Sequence, residues 1–140
     1  MLLLFKENQF MTAPQKTVLI IEDEADAAEL FAEMMRVSGF RVLKTSSSTP
    51  ALSLIAIEKP DLIILDIMMP EVSGLDILRE MRQDAALAGI PVVVVSAKSM
   101  PADIRTGMEA GASTYLTKPV GFLELKEAVE RALGNQSAAT

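Results

Sequence analysis

Carboxylate, hydroxyl and amine side chains each follow a short apolar segment at four places in the sequence: Glu22 with Asp23, Asp66, Ser96 and Lys118. These groups suit phosphate chemistry. A carboxylate can attack phosphorus or hold a divalent cation, while an ammonium group and a hydroxyl stabilise negative charge on phosphoryl oxygens. The sequence contains no histidine or cysteine, so such chemistry would depend on these side chains. Asp66, at the centre of residues 60–70, is the candidate nucleophile.

Each of these residues also has an ordinary structural explanation when it is considered alone. An acidic residue after a strand is more often a helix cap or a turn residue, and a terminal serine often bonds to the backbone. A lysine before a proline is commonly a solvated turn residue. The functional interpretation therefore depends on whether the fold brings these residues together.

The pattern predicts five strands that alternate with five helices. The expected strands are residues 18–21, 41–45, 62–65, 92–95 and 113–117, and most are continuous apolar runs that are typical of buried parallel strands. The expected helices begin near Glu24, Pro50, Ser73, Pro101 and Gly121, with Ser48 or Thr49 as the cap of the second. Helical spacing predicts these inward residues in the first, second, fourth and fifth helices: Ala27, Leu30, Phe31, Met34, Met35, Leu52, Ile55, Ala56, Ile104, Met108, Phe122, Leu125, Val129 and Leu133.

Strand and helix in regular alternation predict an α/β fold with a doubly wound parallel sheet and helices on both faces. The flavodoxin-like strand order 2-1-3-4-5 fits a chain of 140 residues. In this order the first and third strands are neighbours, so Glu22 and Asp23 are expected beside Asp66. Three close carboxylates repel one another, so either protons or a metal ion must relieve the repulsion, and oxygen ligands without histidine or cysteine favour Mg²⁺.

Length and composition exclude several classes of protein. The chain fits one domain at residues 17–134, with a loose N-terminal extension at 1–16 and a short tail at 135–140. A net charge of −6 argues against direct contact with nucleic acid. The N-terminus has neither the pattern of a secretory signal nor the apolar length of a membrane span, and the lack of cysteine gives no sign of an oxidising compartment. We therefore expect a cytoplasmic protein without membrane contact.

Four motifs in this order and spacing resemble the receiver domain of bacterial two-component response regulators: VLIIEDE, LIILDIMMP, VVVVSA and YLTKP. The resemblance covers about residues 17–133. It implies the following roles: Asp66 as phosphoacceptor, Glu22, Asp23, Asp66 and the backbone carbonyl of Met68 as Mg²⁺ ligands, Ser96 as switch hydroxyl, Tyr115 as aromatic switch residue, and Lys118 as the catalytic lysine. It also implies a cis peptide bond between Lys118 and Pro119.

By the same resemblance, the phosphoryl donor is a histidine kinase or a histidine phosphotransfer protein. The protein would be a phosphoacceptor that assists its own phosphorylation and dephosphorylation, not an enzyme in the usual sense. Phosphorylation would draw Ser96 inward, allow Tyr115 to turn, and alter a surface at residues 101–133 that docks a downstream protein. The chain resembles stand-alone chemotaxis or phosphorelay receivers, and equally a domain of a longer regulator or hybrid kinase. Its oligomeric state is open.

Three other functions were weighed against this one. A flavodoxin-type carrier of flavin mononucleotide needs a phosphate loop after the first strand, where Glu22 and Asp23 would repel the phosphate. A phosphoaspartate hydrolase of the haloacid dehalogenase type would have its nucleophile at the end of the first strand, in a motif that is missing here. A phosphorylation-independent pseudo-receiver, acting only as an interaction module, is the main alternative, although such domains usually lack one of the acidic, serine or lysine positions.

Overall fold

The computed structural model of the protein describes residues 14–138. Within this range the strands are β1 (Thr17–Ile21), β2 (Arg41–Thr45), β3 (Leu62–Asp66), β4 (Val92–Ser96) and β5 (Thr114–Thr117). The helices are α1 (Ala25–Val37), α2 (Ala51–Glu58), α3 (Gly74–Gln83), α4 (Pro101–Ala110) and α5 (Phe122–Ala138). Strand and helix alternate along the chain as the sequence predicts.

The strands form one parallel sheet in the order β2-β1-β3-β4-β5. This confirms the flavodoxin-like topology, with β1 and β3 as neighbours. Ile21 pairs with Leu65 in their register, so the two strands end side by side. Asp66 pairs with Val95 of β4, which places the next residue of β4, Ser96, at the same edge.

Helices cover both faces of the sheet, and the apolar core consists of two layers. One layer lies under α1 and α5 and takes alternate strand residues such as Val18, Ile64 and Val93. The other lies under α2, α3 and α4 and takes the residues between them, such as Leu19 and Leu65. Every residue of β3 and β4 is buried, because both faces of the central strands are covered.

Local signals set several of the helix ends. The predicted start of α3 near Ser73 is confirmed, and the Ser73 hydroxyl caps this helix by accepting a hydrogen bond from the Leu75 amide at 3.2 Å. Gly111 ends α4 with φ +116°, in the left-handed region that glycine adopts without steric cost. Ser73 thus marks where α3 begins, and Gly111 marks where α4 ends.

Several of the predicted inward residues are in fact exposed. Leu30 is 54% exposed, Met108 43% and Phe122 36%, and Ala56 also faces solvent. The buried stripe of α1 is instead Ala28, Phe31, Ala32 and Met35. Small residues such as Ala28 and Ala32 let the backbone of α1 approach the sheet, and the predicted large residues Phe31 and Met35 are buried beside them.

The C-terminal helix is longer than the sequence predicts. The prediction ended it at Leu133, before Gly134, but α5 continues to Ala138. Gly134 does not stop the helix because no left-handed turn forms there, and the residues that follow are compatible with helix. The predicted tail at 135–140 is therefore partly helical.

The predicted N-terminal extension at 1–16 lies mostly outside the described residues, and the domain limits of 17–134 stay a prediction. Lys16 accepts a hydrogen bond from the Arg41 amide at 2.9 Å, next to the start of β1. Among the helices of residues 14–138, none has the length and apolar character needed to cross a membrane.

Gly74, the first residue of α3, lies against the backbone that carries Asp66. A Cβ atom at this position would be 2.6 Å from the Ile67 Cα and 2.7 Å from the Asp66 carbonyl oxygen. Both distances are too short for any side chain, and backbone atoms cannot turn away as a flexible side chain can. The absence of a side chain at Gly74 therefore lets α3 begin directly beside the end of β3.

We predict that Gly74→Ala destabilises the protein by about 2 kcal/mol, because the added methyl group must push α3 away from β3. Chemical denaturation measures the free energy of unfolding. Gly121→Ala is the matched control, since a Cβ at Gly121 meets nothing within 4 Å. Equal stability of the two variants would contradict the close packing of α3 on Asp66.

Candidate phosphoryl-transfer site

The carboxyl ends of four strands place the predicted residues Glu22, Asp66, Ser96 and Lys118 at one edge of the sheet. Asp66 and Ser96 are the last residues of β3 and β4. Glu22 follows the end of β1 directly, and Lys118 follows the end of β5. The structure thus brings together residues that are up to 96 positions apart in the sequence.

Three carboxylates form the acidic part of this site. One oxygen from each of Glu22, Asp23 and Asp66 lies within 4.8 Å of the other two. Glu22 is 1% exposed and Asp66 5%, whereas Asp23 is open to solvent. Charges at about 4 Å repel by about 4 kcal/mol in a medium of dielectric constant near 20, so this cluster needs a positive partner.

Lys118 provides one positive partner and bridges two of the carboxylates. Its Nζ atom lies 2.8 Å from Glu22 Oε1 and 3.5 Å from Asp66 Oδ2. The Lys118 side chain is 24% exposed, so both interactions are partly shielded from water. Asp66 Oδ1 accepts a hydrogen bond from the Met68 amide at 2.9 Å. Asp66 is thus held through both of its oxygens.

The protonation of this site follows from burial and from these charges. Burial raises the pKa of Glu22, and Asp66 adds to this rise, while the hydrogen bond from Lys118 acts against it. Burial lowers the pKa of Lys118, but the hydrogen bond to Glu22 and the charge of Asp66 outweigh burial, so the pKa of Lys118 is raised overall. Lys118 is therefore a fixed cation at neutral pH.

The donor set fits a hard divalent cation. Carboxylate oxygens from Glu22, Asp23 and Asp66 are the ligands that Mg²⁺ prefers, and the exposed side of Asp23 leaves room for the waters that Mg²⁺ retains. The amide of Met68 contacts Asp66, while the Met68 carbonyl remains a predicted ligand.

The Lys118–Pro119 peptide bond is cis, as the resemblance implies.

A chain of hydrogen bonds connects Ser96 with Tyr115 through one residue, Lys98. Ser96 is fully buried, and its Oγ accepts a hydrogen bond from the Lys98 amide at 3.1 Å. The Tyr115 hydroxyl donates to the Lys98 carbonyl oxygen at 2.8 Å. Any movement of Ser96 that shifts Lys98 therefore reaches Tyr115 directly.

Ser48 has a role that the sequence analysis missed. The predicted helix cap at Ser48 or Thr49 is wrong, because Pro50 occupies the N-cap position of α2 without a side-chain hydrogen bond. The Ser48 hydroxyl is buried and instead donates to the Pro70 carbonyl oxygen and accepts from the Val72 amide, both at 3.1 Å. Ser48 thus fixes the loop after Asp66. No local sequence pattern predicts this contact, because Ser48 and Pro70 are 22 positions apart.

The sequence model of the response regulator receiver domain family matches residues 18–130 of this chain. The chain belongs to this receiver family. The polar-differentiation response regulator DivK of Brucella ovis is 35% identical over 120 residues, which cover 86% of this chain and 98% of that protein. DivK of Brucella anthropi is 34% identical with the same coverage.

Solved structures of receiver proteins share the fold. A putative response regulator from Chloroflexus aurantiacus has a TM-score of 0.83 and 30% identity, covering 86% of this chain and 99% of that one. A CheY-like receiver domain protein from Methanospirillum hungatei has a TM-score of 0.84 at 22% identity, covering 91% and 100%. The second likeness concerns the fold alone. The receiver family assignment thus agrees with the strand order and with the acidic edge of the sheet.

We predict that Ser48→Ala destabilises this receiver domain by about 1–3 kcal/mol, because the partly buried Val72 amide loses its hydrogen-bond acceptor. Thermal or chemical denaturation measures the loss. Thr49→Val is the matched control: the Thr49 hydroxyl bonds to Glu71 at 3.0 Å on the exposed surface, where its removal costs little. An equal effect of both variants would argue against the role of Ser48.

Proposed function

We propose that this receiver domain is a phosphorylation-dependent signalling switch whose phosphoacceptor is Asp66. The observation that carries this proposal is the contact of Lys118 with both Glu22 and Asp66 at the sheet edge. Such an arrangement concentrates negative charge around Asp66 and supplies part of the positive charge that a phosphoryl group needs. A purely structural ion pair would not require the additional, solvent-exposed Asp23.

In the proposed reaction, an Asp66 carboxylate oxygen attacks the phosphorus of a phosphohistidine on another protein. A P–O bond forms, the P–N bond of the donor breaks, and the electron pair leaves with the donor imidazole. The Lys118 ammonium group, held beside Asp66, stabilises the negative charge on the phosphoryl oxygens. The protein is thus consumed as an acceptor and later regenerated by hydrolysis, so it is not an enzyme in the ordinary sense.

Mg²⁺ completes the charge balance in this proposal. Glu22, Asp23 and Asp66 would hold the ion together with the Met68 carbonyl. When bound, Mg²⁺ supplies positive charge next to the transferred group. Ser96 would donate its hydroxyl hydrogen to a phosphoryl oxygen, since its oxygen already accepts a hydrogen bond from Lys98.

The signal would leave the site through the hydrogen bonds that join Ser96, Lys98 and Tyr115. A phosphoryl group biases two pre-existing arrangements by making better contacts in one of them. The affected surface is residues 101–133, which include α4, β5 and most of α5. We propose that a downstream protein docks there, since the net charge of −6 argues against direct contact of this domain with nucleic acid.

A phosphohistidine donor must lie outside this sequence, because the sequence contains no histidine. An apolar groove beside Lys118 suits its docking. Leu30, 54% exposed, lines this groove with Ala27, Phe31 and Val120. A histidine kinase or a histidine phosphotransfer protein bound there would bring its phosphohistidine to the sheet edge. Such donors are cytoplasmic domains, which is consistent with the proposed cytoplasmic location.

We predict that Asp66→Asn abolishes phosphoryl labelling by acetyl phosphate in the presence of Mg²⁺, because the amide is not a nucleophile. Intact-protein mass spectrometry or a phosphate-sensitive gel measures the labelling. Asp76→Asn, an exposed change on α3, should label like the unmodified protein. Removal of Mg²⁺ with a chelator should also stop labelling. Labelling of the Asp66→Asn protein would contradict the proposal and favour another acceptor, while absence of labelling in the unmodified protein would favour a pseudo-receiver.

We predict that Leu30→Ala slows phosphotransfer from a competent histidine phosphotransfer protein about tenfold, as expected for an interface residue worth about 1.4 kcal/mol. Phosphorylation by acetyl phosphate should be unaffected, because a small donor does not need the groove. Val37→Ala, on the same helix and 74% exposed, is the matched control. An equal loss with both donors would place the effect of Leu30 on the site and not on docking.

A further inference from the structure

Gly107 lies within α4 at a place where an alanine would form a better helix. Glycine disfavours helix because its backbone loses more conformational freedom on folding. Gly107 does not need a positive φ, since it is inside the helix, and it is buried. The reason for a glycine at this position must therefore be a close contact.

The neighbour at this contact is the ring of Tyr115. A Cβ atom at Gly107 would be 2.7 Å from Tyr115 Cδ2 and 2.8 Å from Cε2. These distances are shorter than any normal carbon contact, so a methyl group and the ring cannot occupy their positions together. The ring thus fills the space that the missing side chain leaves on α4.

We infer that Gly107 is the positioning residue of Tyr115: it forms a notch in α4 that holds the ring and keeps the hydroxyl on Lys98. The ring lies between two elements, with Gly107 on one side and the Lys98 carbonyl at its hydroxyl end, 2.8 Å away. A side chain at position 107 would force Tyr115 to rotate outward and break that hydrogen bond.

The effect of Gly107 on signalling rests on the proposed function, whereas its contact with Tyr115 does not. If Tyr115 is the end of the hydrogen-bonded link from Ser96, then Gly107 decides whether α4 can accept the ring when the site is phosphorylated. Gly107→Ala should therefore uncouple Tyr115 from Ser96, because the hydrogen bond between Tyr115 and Lys98 is lost. The carboxylates and Lys118 would stay in place, because a Cβ at Gly107 meets only the Tyr115 ring.

Tyrosine fluorescence tests the position of the ring directly, because the sequence has one tyrosine and no tryptophan. In Gly107→Ala, acrylamide should quench Tyr115 more strongly, approaching the quenching of a fully exposed tyrosine. Gly134→Ala is the matched control: it makes the same change within α5, where a Cβ meets nothing within 4 Å. Quenching in this control should equal that of the unmodified protein.

Binding of beryllofluoride with Mg²⁺ tests the coupling. We expect Gly107→Ala to weaken this binding about fivefold, the equivalent of one hydrogen bond between neutral groups. In a Tyr115→Ala background, the Gly107→Ala change should have no further effect, because the clash has been removed. Unmodified protein that fails to bind beryllofluoride would count against the proposed function alone, and the quenching comparison would still decide the role of Gly107.

Unchanged quenching of Tyr115 in Gly107→Ala would overturn the inference, as would an equal increase in Gly134→Ala. Unchanged beryllofluoride affinity would overturn the coupling. If Gly107→Ala does not fold, the Gly107→Ala/Tyr115→Ala double variant decides the question. Recovery of folding in the double variant supports the clash with Tyr115, and failure of both variants to fold assigns Gly107 another contact and overturns the inference.

Discussion

The crowding of negative charge at the carboxyl edge of the sheet is the constraint on which the rest of this structure depends. Glu22 and Asp66 are almost fully buried and lie within 4.8 Å of each other, with Asp23 at the open side. Such a cluster is stable only with cations beside it. Lys118 is one, and its own burial is offset by the two carboxylates that it contacts. The incomplete balance leaves an acidic cluster whose oxygen atoms suit a divalent cation.

Other parts of the molecule keep this edge in place. Gly74 lets α3 begin against the Asp66 backbone, and Ser48 fixes the loop that follows Asp66 from the other side. These two contacts come from different elements and neither touches a carboxylate. Together they restrain the backbone that follows Asp66. The positions of Asp66 and Met68 thus depend on residues without any chemical role.

The route from the site to the surface is short. Ser96, Lys98 and Tyr115 are joined by hydrogen bonds of 3.1 and 2.8 Å, and the Tyr115 ring lies in the notch at Gly107. So few groups join Ser96 to the surface near Tyr115 because β4, β5 and α4 meet at this point. In the proposed function, a phosphoryl group acts on Ser96 and the effect appears on α4.

The sequence by itself determined the fold class, the strand order and the grouping of the site residues. Continuous apolar strands require helices on both faces, and the parallel sheet then collects the residues after each strand at one edge. The tertiary structure alone decided which apolar side chains are buried, so that Leu30 faces a groove and Ala28 the core. It also decided the roles of Ser48 and Gly107, since contacts between distant segments depend on packing at the scale of single atoms, which no local pattern records.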